Sequence, residues 1–298
     1  MSDAANRDAL DAIEPVPVSF TGSHGNRIVG DRWGEGGRIV LLAHGGGQTR
    51  HSWDETARRM VAHGMTAIAI DHRGHGDSAW DPEGRYDFIT YSDDLAAVAR
   101  QILARYGARP VLVGASLGGI AGMMSQGSVD EQLFEAIVLV DITPRMDRSG
   151  VEKIIGFMAG RMEEGFASVE EAAEAVARYM PHRKRPSSHE GLRKNLRLHE
   201  DGRYRWHWDP KFVTGRQNVD VDRDTLEPRL MAAAANLTLP VMLVRGKLSE
   251  LVSEEHVKEF VELVPHAEYC DVSGAGHMIA GDRNDVFADA VIGFIEKL

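Results

Sequence analysis

The chain has 298 residues, and its 45 Asp and Glu residues outnumber its 34 Lys and Arg residues, which gives a formal net charge of −11. This balance argues against a protein that binds nucleic-acid backbones, because such proteins rely on clustered Lys and Arg. The single cysteine, Cys270, excludes an internal disulfide framework and a cysteine-based metal cage, and we expect it to be a small core residue.

We expect no targeting signal at the beginning of the chain. Residues 1–14 have no apolar core behind basic residues, which a secretory signal needs. No run approaches the roughly 18 apolar residues that cross a bilayer. We therefore expect a cytoplasmic protein with neither a membrane nor a nucleic acid as partner.

Short runs rich in Val and Ile alternate with turns and helical patterns, which is typical of an α/β protein with a parallel sheet. Two early strands, 17–21 and 28–33, flank a turn and predict an N-terminal hairpin. The later predicted strands are 38–43, 66–71, 110–115, 136–141, 240–245 and 267–272. The predicted helices between them are 53–63, 92–106, 117–125, 254–264 and 285–297.

The alternation is interrupted once, between residues 144 and about 236, where the pattern is helical and contains no buried-strand run. The strands resume afterwards, which indicates an insertion rather than a second independent domain. We therefore predict a core made of residues 1–144 and 237–298, with a helical cap over 145–236.

Two helices are predicted inside the cap. Ser168 with Glu171 matches the S-x-x-E capping box and predicts a helix that runs to Tyr179. A second helix is predicted over 225–236, with Pro228 tolerated in its first turn.

The predicted strand 110–115 runs into Gly-Ala-Ser-Leu-Gly at 114–118, and a helical pattern follows. This G-x-S-x-G sequence between a strand and a helix is typical of a nucleophile turn, in which glycines leave room beside an exposed serine hydroxyl. The alternative is a glycine-rich turn that only packs close to a neighbour. The sequence favours Ser116 as a nucleophile because two further segments fit that role.

The first of these segments is His-Gly-Gly-Gly at 44–47, directly after the third strand, where an oxyanion donor is expected. We assign the oxyanion hole to the backbone amides of Gly46 and Leu117, with Gly47 as the alternative to Gly46. The second segment is Gly-Ala-Gly-His at 274–277, which puts His277 on a loop as the general base. Along the chain the predicted serine comes first, then the acid and then the histidine, which is the order typical of triads whose serine lies in a G-x-S-x-G turn.

With these motifs the chain resembles the α/β-hydrolase superfamily, in the branch shared by esterases and epoxide hydrolases. The resemblance covers about 16–144 and 239–298 and includes Asp-His-Arg-Gly-His-Gly-Asp-Ser at 71–78. It implies a mostly parallel eight-stranded sheet flanked by helices, with the cap after the sixth strand. Epoxide hydrolases and haloalkane dehalogenases of this branch carry Asp at the elbow, so Ser116 implies acyl-enzyme chemistry instead.

The triad acid has two candidates. In such folds it commonly lies on the loop after the seventh strand, three residues beyond a glycine, but Ser249 occupies that position and Glu250 follows it. The alternative is Asp141, at the end of the sixth predicted strand, an arrangement that some superfamily members resemble. We favour Asp141, because a carboxylate that ends a strand is better fixed than one on a loop.

Other polar groups have a functional and a structural interpretation. His72 and His75, with Asp71 and Asp77, have the composition of a metal site, but we favour a hydrogen-bonded loop and predict neither a metal nor another cofactor. The basic run 182–185 fits a substrate carboxylate, although a solvated cap surface is favoured because charge runs usually face water.

Aromatic residues of the cap supply the remaining candidates. Trp206 and Trp208 line an acyl or alcohol pocket in one interpretation and pack the cap on the core in the other. Together with His44, Gly45 and Gly47 they are our candidate substrate-binding residues.

The predicted function is hydrolysis of a carboxylic ester of a small molecule by a serine hydrolase. Lactones, amides, activated C–C bonds and perhydrolysis are alternatives for the same groups. A dinucleotide-dependent oxidoreductase is disfavoured, because the glycine spacing puts Arg50 where a third small residue belongs and leaves Ser116 and His277 unexplained. A non-catalytic receptor of the same fold is the third class, and a homodimer stays open as an assembly.

Overall fold

The computed structural model describes residues 12–129, 131–179, 188–216, 223–273 and 285–298. Its strands are β1 (Val16–Thr21), β2 (Arg27–Trp33), β3 (Ile39–Ala43), β4 (Thr66–Ile70), β5 (Val111–Ala115), β6 (Ile137–Val140), β7 (Leu196–Leu198), β8 (Tyr204–Trp206), β9 (Val241–Gly246) and β10 (Glu268–Val272). Its helices are α1 (Asp54–Ala62), α2 (Phe88–Tyr106), α3 (Leu117–Gly127), α4 (Arg148–Ala159), α5 (Val169–Tyr179), α6 (Glu190–Arg193), α7 (Lys211–Thr214), α8 (Arg223–Ala235), α9 (Glu254–Leu263) and α10 (Asp285–Glu296). A short 3-10 helix, Arg50–Trp53, precedes α1.

Eight of the strands form one sheet in the order β1-β2-β4-β3-β5-β6-β9-β10. β2 runs antiparallel to both of its neighbours, and the other pairings in this sheet are parallel. All residues of β3, β4 and β5 are buried, which explains their continuous apolar sequences. The predicted hairpin and the predicted mostly parallel, eight-stranded sheet are confirmed.

The strands of this sheet begin and end within one residue of their predicted bounds. The core helix that differs most is α2, which begins at Phe88 instead of residue 92. Asp87 explains the earlier start, because its carboxylate accepts a hydrogen bond from the amide of Thr90 at 2.9 Å and so caps the helix.

The segment between β6 and β9, residues 145–236, is called the inserted segment below. It contains helices α4 to α8 and also a small antiparallel sheet of β7 and β8. The sequence predicted helices and no strand here. Both strands have three residues, and Leu198 at the end of β7 is 62% exposed. Strands this short and this exposed lack the buried apolar run that identified the strands of the large sheet.

The beginning of α5 matches the predicted capping box only in part. The hydroxyl of Ser168 accepts the amide hydrogen of Glu171 at 3.2 Å, as predicted. The carboxylate of Glu171, however, accepts from the amide of Ala167 at 2.6 Å, one residue before Ser168. The helix still ends at Tyr179.

Pro228 lies deeper in its helix than predicted. Helix α8 begins at Arg223, so Pro228 is inside it, beyond the first turn. A proline at that point cannot donate a hydrogen bond to the carbonyl four residues earlier. The prediction of a first-turn proline is therefore wrong, because the helix starts before residue 225.

Alternate residues of the central strands face two different cores. Leu41 of β3 packs in a core with α2, α3, α8, α9 and apolar residues of the inserted segment, whereas Val40 and Leu42 face α1 and α10. Helices therefore cover both faces of the sheet. Within the described ranges, no helix combines the length and apolarity that a bilayer span requires.

Cys270 lies on β10, at the edge of the sheet. Its side chain is partly buried and packs at the margin of the second core. The expectation of a core position is thus correct only in part, because one side of an edge strand has no neighbouring strand to cover it.

Helix α3 approaches β3 more closely than a side chain would allow. A Cβ atom on Gly118 would overlap the carbonyl oxygen of Ala43 and lie 2.7 Å from its carbonyl carbon. Gly156 in α4 provides a contrast, because no atom lies within 4 Å of the position of its Cβ.

We expect Gly118→Ala to lower the free energy of unfolding by about 1–3 kcal/mol, since α3 or β3 must shift to admit the methyl group. Gly156→Ala is the matched control, because the same exchange in an open helical position stabilises by about 0.5–1 kcal/mol. Denaturant unfolding of the two variants measures both effects. Equal stabilities of the two variants would contradict the close approach of α3 to β3.

Candidate active site

Ser116 occupies a strained turn between β5 and α3. Its backbone has φ 44° and ψ −109°, a region that non-glycine residues rarely adopt. A Cβ atom on Gly114 would lie 2.7 Å from the carbonyl group of Gly118, so neither glycine of the G-x-S-x-G sequence has room for a side chain. The steric role assigned to these glycines from the sequence therefore has a direct structural cause.

The loop after β3 lies against this turn. The amide of Gly118 donates to the carbonyl of His44 at 3.2 Å. A Cβ atom on Gly45 would lie 3.4 Å from Cβ of Ser116. The structure thus brings the predicted oxyanion loop and the predicted nucleophile side by side.

The amides of this loop have different partners. The Gly45 amide donates to Oε1 of Gln48 at 2.9 Å, and the Gly47 amide donates to Nε2 of His75 at 3.1 Å. In the described part of the chain, no hydrogen-bond acceptor is recorded for the Gly46 amide. Leu117 is the first residue of α3, where a backbone N–H has no carbonyl partner inside the helix. These contacts favour Gly46 over Gly47 as the residue whose amide, together with that of Leu117, would donate to an oxyanion.

Asp141 follows β6 and is fully buried beside the nucleophile strand. Its Oδ1 accepts from the amide of Gly246 at 3.0 Å, and its Oδ2 accepts from the hydroxyl of Ser249 at 2.6 Å. The amide of Ser116 donates to the carbonyl of Val140, the residue before Asp141, at 3.2 Å. A buried carboxylate is therefore held in place near Ser116.

Glu250, the other candidate acid, has a different environment. Its carboxylate pairs with Lys153 at 2.6 Å, and its side chain is 47% exposed. Salt bridges of this exposed kind contribute little to stability and leave the side chain mobile. The environment of Glu250 fits a surface charge, whereas that of Asp141 fits an orienting acid.

His277 lies outside the described residues, as does the basic run 182–185. The strand that precedes it, β10, ends with Val272 paired to Gly246 of β9. Gly246 is the residue whose amide binds Asp141. The chain therefore leaves the sheet next to the favoured acid, and the role of His277 stays a prediction.

Four buried histidines pack behind the oxyanion loop. The ring of His44 lies 4.7 Å from that of His72 and 5.3 Å from that of His75, measured between centroids. The ring of His207, from the inserted segment, lies 5.8 Å from that of His75, and its Nδ1 accepts from the amide of Gly76 at 2.7 Å. This cluster links the loops after β3 and β4 to the segment after β8.

His44 supports the backbone rather than presenting a free polar atom. It is fully buried, its Nδ1 lies 2.8 Å from the Gly45 carbonyl, and its Nε2 accepts from the amide of His72 at 3.1 Å. Both ring nitrogens are thus occupied by backbone groups. In this arrangement His44 acts on a bound molecule only through the loop that it holds.

Burial lowers the pKa of every ring in this cluster. The pKa of His72 falls to about 4 and that of His75 to about 3, because burial disfavours the charged imidazolium. Burial first, and neighbouring histidines next, also lower the pKa of His44 and of His207. The four rings are therefore neutral at neutral pH. Those of His44, His75 and His207 accept hydrogen bonds from backbone amides, and Nε2 of His72 donates to the His44 carbonyl at 3.1 Å.

A buried ion-pair network holds the loop after β4. Asp71 accepts from the amide of Arg50 at 2.7 Å and from the amide of Asp77 at 2.9 Å. The guanidinium of Arg50 also binds Asp31 at 2.7 Å and Asp77 at 2.9 Å. His72, His75, Asp71 and Asp77 thus belong to the hydrogen-bonded loops, and the described residues contain no cluster suited to a metal ion.

Aromatic and apolar side chains of the inserted segment cover the oxyanion loop. A Cβ atom on Gly47 would lie 2.9 Å from Cε of Met158 and 3.3 Å from the ring of Trp208, and one on Gly46 would lie 3.1 Å from the ring of Phe212. Trp208 stacks on Trp206 with ring centroids 5.0 Å apart. Trp208 therefore lies beside the candidate site, and Trp206 one ring further away.

Trp206 borders a cavity of about 170 Å³ inside the inserted segment. Phe157 and Phe166 line the same cavity. The indole nitrogen of Trp206 is buried and has no hydrogen-bond partner among the described residues. The two tryptophans thus pack against the core, and Trp206 also borders this cavity, which Arg161 and Arg178 line as well. Their role in binding an acyl or alcohol group stays a prediction.

Sequence reasoning missed several residues that shape the site. Ser249 was noted only as occupying the position of the expected acid, yet it binds Asp141. His75 and Phe212 were not assigned to the oxyanion loop, and nothing in the local sequence pairs residues so far apart. The one usable signal was at Ser249, since a hydroxyl at the usual acid position already indicates that a carboxylate comes from elsewhere.

The four buried histidines predict a dependence of stability on pH. In the unfolded chain they take up protons near pH 6.5, whereas burial lowers the pKa of each folded ring, that of His72 to about 4 and that of His75 to about 3, so the unfolded state binds more protons between about pH 6.5 and pH 4. We expect the free energy of unfolding to fall as pH is lowered through it, by up to about 1.4 kcal/mol per histidine and pH unit. Denaturant unfolding at a series of pH values measures this slope, and a free energy unchanged from about pH 7 to about pH 5 would contradict it.

Comparison with known proteins places this geometry in a family. The model of the family described as "Alpha/beta hydrolase family" matches residues 40–290. Esterase Rv0045c of Mycobacterium tuberculosis is 30% identical, covering 89% of this chain and 85% of its own length. The sn-1-specific diacylglycerol lipase ABHD11 of Mus musculus is 27% identical, covering 95% of this chain and 86% of its own.

A solved structure agrees in fold. An α/β hydrolase from Novosphingobium aromaticivorans superposes with a TM-score of 0.79 at 23% identity, covering 96% of this chain and 99% of that chain. The family match spans the central strands, the turn at Ser116 and the inserted segment. The chain therefore belongs to the α/β hydrolase family and is a hydrolase.

Proposed function

We propose that this hydrolase cleaves a carboxylic ester of a small molecule through an acyl-enzyme on Ser116. The observation that carries the proposal is the strained backbone of Ser116, held between β5 and α3 with the Gly45 loop against it. A strained residue in such a turn points to a functional constraint, since packing alone does not need it. The relatives named esterase and lipase support an ester as the bond.

In this proposal Oγ of Ser116 attacks the ester carbonyl carbon while His277 takes the hydroxyl proton. The carbonyl oxygen becomes an oxyanion and is stabilised by the amides of Gly46 and Leu117. Collapse of the tetrahedral intermediate breaks the ester C–O bond, and His277 returns the proton to the leaving alcohol. Water then attacks the acyl carbon with the same base, which releases the acid and restores Ser116.

Asp141 orients the imidazole and stabilises its charged form in this scheme. Its fixed position supports this role, because Gly246 and Ser249 each donate a hydrogen bond to one of its oxygens. Glu250 is already paired with Lys153 at the surface. We therefore propose Asp141, and not Glu250, as the third member of the triad.

The apolar cover of the oxyanion loop supports a substrate with an apolar acyl or alcohol group. Met158, Trp208 and Phe212 all approach this loop from the inserted segment. Side chains of this type exclude water and strengthen the hydrogen bonds to a developing oxyanion. We propose that residues 145–236 act as a cap that selects the substrate, with residues 1–144 and 237–298 as the catalytic core.

Labelling with a fluorophosphonate probe tests the nucleophile. We expect a covalent adduct on Ser116, because an activated serine attacks the phosphorus atom of the probe. The adduct is located by peptide mass spectrometry, and Ser116→Ala is expected to abolish it. Ser125→Ala in α3 is the matched control, since the Ser125 hydroxyl is buried and donates a hydrogen bond to the Gly122 carbonyl. The Ser125→Ala protein should still be labelled on Ser116. A folded wild-type protein that remains unlabelled would favour a non-catalytic receptor.

Amide substitutions distinguish the two candidate acids. We expect Asp141→Asn to lower kcat on a p-nitrophenyl ester by roughly 10⁴-fold, because the histidine loses the carboxylate that orients it. Glu250→Gln should change kcat by no more than about twofold, since it removes only an exposed charge. The opposite pattern, with Glu250→Gln inactive and Asp141→Asn active, would make Glu250 the triad acid.

A further inference from the structure

A second cavity, of about 180 Å³, lies where the inserted segment meets the loops after β3 and β4. The core contributes Thr49, Arg50 and Gly76 to its lining, and the inserted segment contributes residues of α6 and β7 together with His207. This volume holds several water molecules or one small polar group, because a water molecule occupies about 30 Å³ in the liquid. The cavity is separate from the one that Trp206 borders.

The lining of this cavity is cationic, in contrast to the net charge of −11 of the whole chain. Arg50, Arg193, Lys194 and Arg197 line it, together with a single carboxylate, that of Asp77. Positive charge clustered in one small cavity attracts anions.

Carboxylates outside the cavity neutralise part of this charge. Arg50 is held by the buried Asp31 and Asp71, and Lys194 is paired with Asp54 at 2.9 Å. Arg193, by contrast, has no recorded ion-pair or hydrogen-bond partner for its guanidinium in the described ranges. Its guanidinium therefore retains its donors for a ligand.

Arg197 is held more loosely than Arg50. It donates to the carbonyl of Gly76, and its guanidinium lies 4.0 Å from the carboxylate of Asp77. The side chain is 43% exposed. A guanidinium has five N–H donors, so these contacts leave others for an anion.

His207 supplies an independent sign of a ligand. Its Nδ1 accepts from the Gly76 amide at 2.7 Å, so in the neutral ring Nε2 carries the hydrogen. This Nε2 is buried, and it completes no hydrogen bond of normal geometry with the described residues, although the Gly47 carbonyl interacts with the ring. A buried donor without a partner costs about 1–3 kcal/mol, which an acceptor in the cavity would recover.

We propose that this cavity binds the oxyanion group of a small molecule, a carboxylate or a phosphate. Arg193 and Arg197 provide the charge and forked donors that match such a group. Nε2–H of His207 donates the remaining hydrogen bond. The ligand is either a free anion or an anionic part of the substrate, and both sources share this chemistry.

The position of the cavity connects anion binding to the candidate active site. Arg193, Arg197 and His207 belong to the inserted segment, whereas Gly76 and Arg50 belong to the core. The ring of His207 lies against that of His75, which holds the Gly47 amide. A bound anion therefore bridges the inserted segment and the core directly behind the oxyanion loop.

Titration with inorganic phosphate and with acetate at constant ionic strength, with chloride as the replaced salt, tests the site. We expect a saturable rise in thermal stability and, for ¹⁵N-histidine-labelled protein, a saturable shift of the Nε2–H resonance of His207. A ligand at 100 times its Kd stabilises the folded state by about 2.7 kcal/mol. A wild-type protein that shows neither effect with either anion would overturn the proposal.

Arg193→Gln tests the assignment of residues. We expect it to weaken anion binding by at least about tenfold, since charge-assisted hydrogen bonds to Arg contribute about 1.5–3 kcal/mol. Arg229→Gln removes the same charge from an exposed position on α8 outside the cavity, and it should bind anions as wild type does. Equal weakening of anion binding in both variants would mean that only the net charge of the protein matters, and it would contradict a specific anion site in this cavity.

The source of the anion is distinguished by kinetics with a neutral and a carboxylate-bearing p-nitrophenyl ester. If the anion is part of the substrate, phosphate competes with the charged ester alone, and Arg193→Gln raises KM for that ester alone. If it is a free ligand, phosphate alters turnover of the neutral ester without competition. The binding titrations are repeated with Ser116→Ala, so that failure of the proposed catalysis and failure of the anion site give different results.

Discussion

The hydrogen bond from the Gly118 amide to the His44 carbonyl is the contact on which the candidate site depends. It forms because Gly118, the second residue of α3, has no side chain, and a Cβ atom at this position would overlap Ala43 of β3. The bond joins the turn after β5 to the loop after β3. Backbone contacts alone therefore place Ser116 next to the loop after β3. The inserted segment covers both of them and is not required to bring them together.

Buried neutral side chains accept hydrogen bonds from two backbone amides of that loop. Gln48 takes the Gly45 amide and His75 takes the Gly47 amide, which leaves Gly46 between them as the proposed oxyanion donor. His75 serves as an acceptor because burial lowers its pKa to about 3 and keeps the ring neutral. His75 also contacts His207, which lines the proposed anion cavity. The loop geometry, the proposed cap and the proposed anion site thus depend on the same contacts.

The sequence was sufficient for the parts of the fold that depend on local patterns. Buried strands such as β3 are continuous apolar runs, and the glycines around Ser116 have a steric role that their spacing already indicates. The small sheet of β7 and β8 escaped prediction because its strands are short and partly exposed. At the site, the bond between Ser249 and Asp141 joins residues 108 positions apart, and no local pattern encodes it. His277 rests on its motif alone, since it lies outside the described residues.

The central claim is that the turn at Ser116 carries a covalent acyl group during turnover. Intact-mass and peptide mass spectrometry of the protein, quenched in acid during hydrolysis of a slowly deacylated p-nitrophenyl ester, measure this most directly. The account predicts a mass increase equal to one acyl group, located on Ser116, together with a burst of p-nitrophenol equal to the enzyme concentration. Turnover of the ester with no acyl group on Ser116, or with the group on another residue, would contradict it.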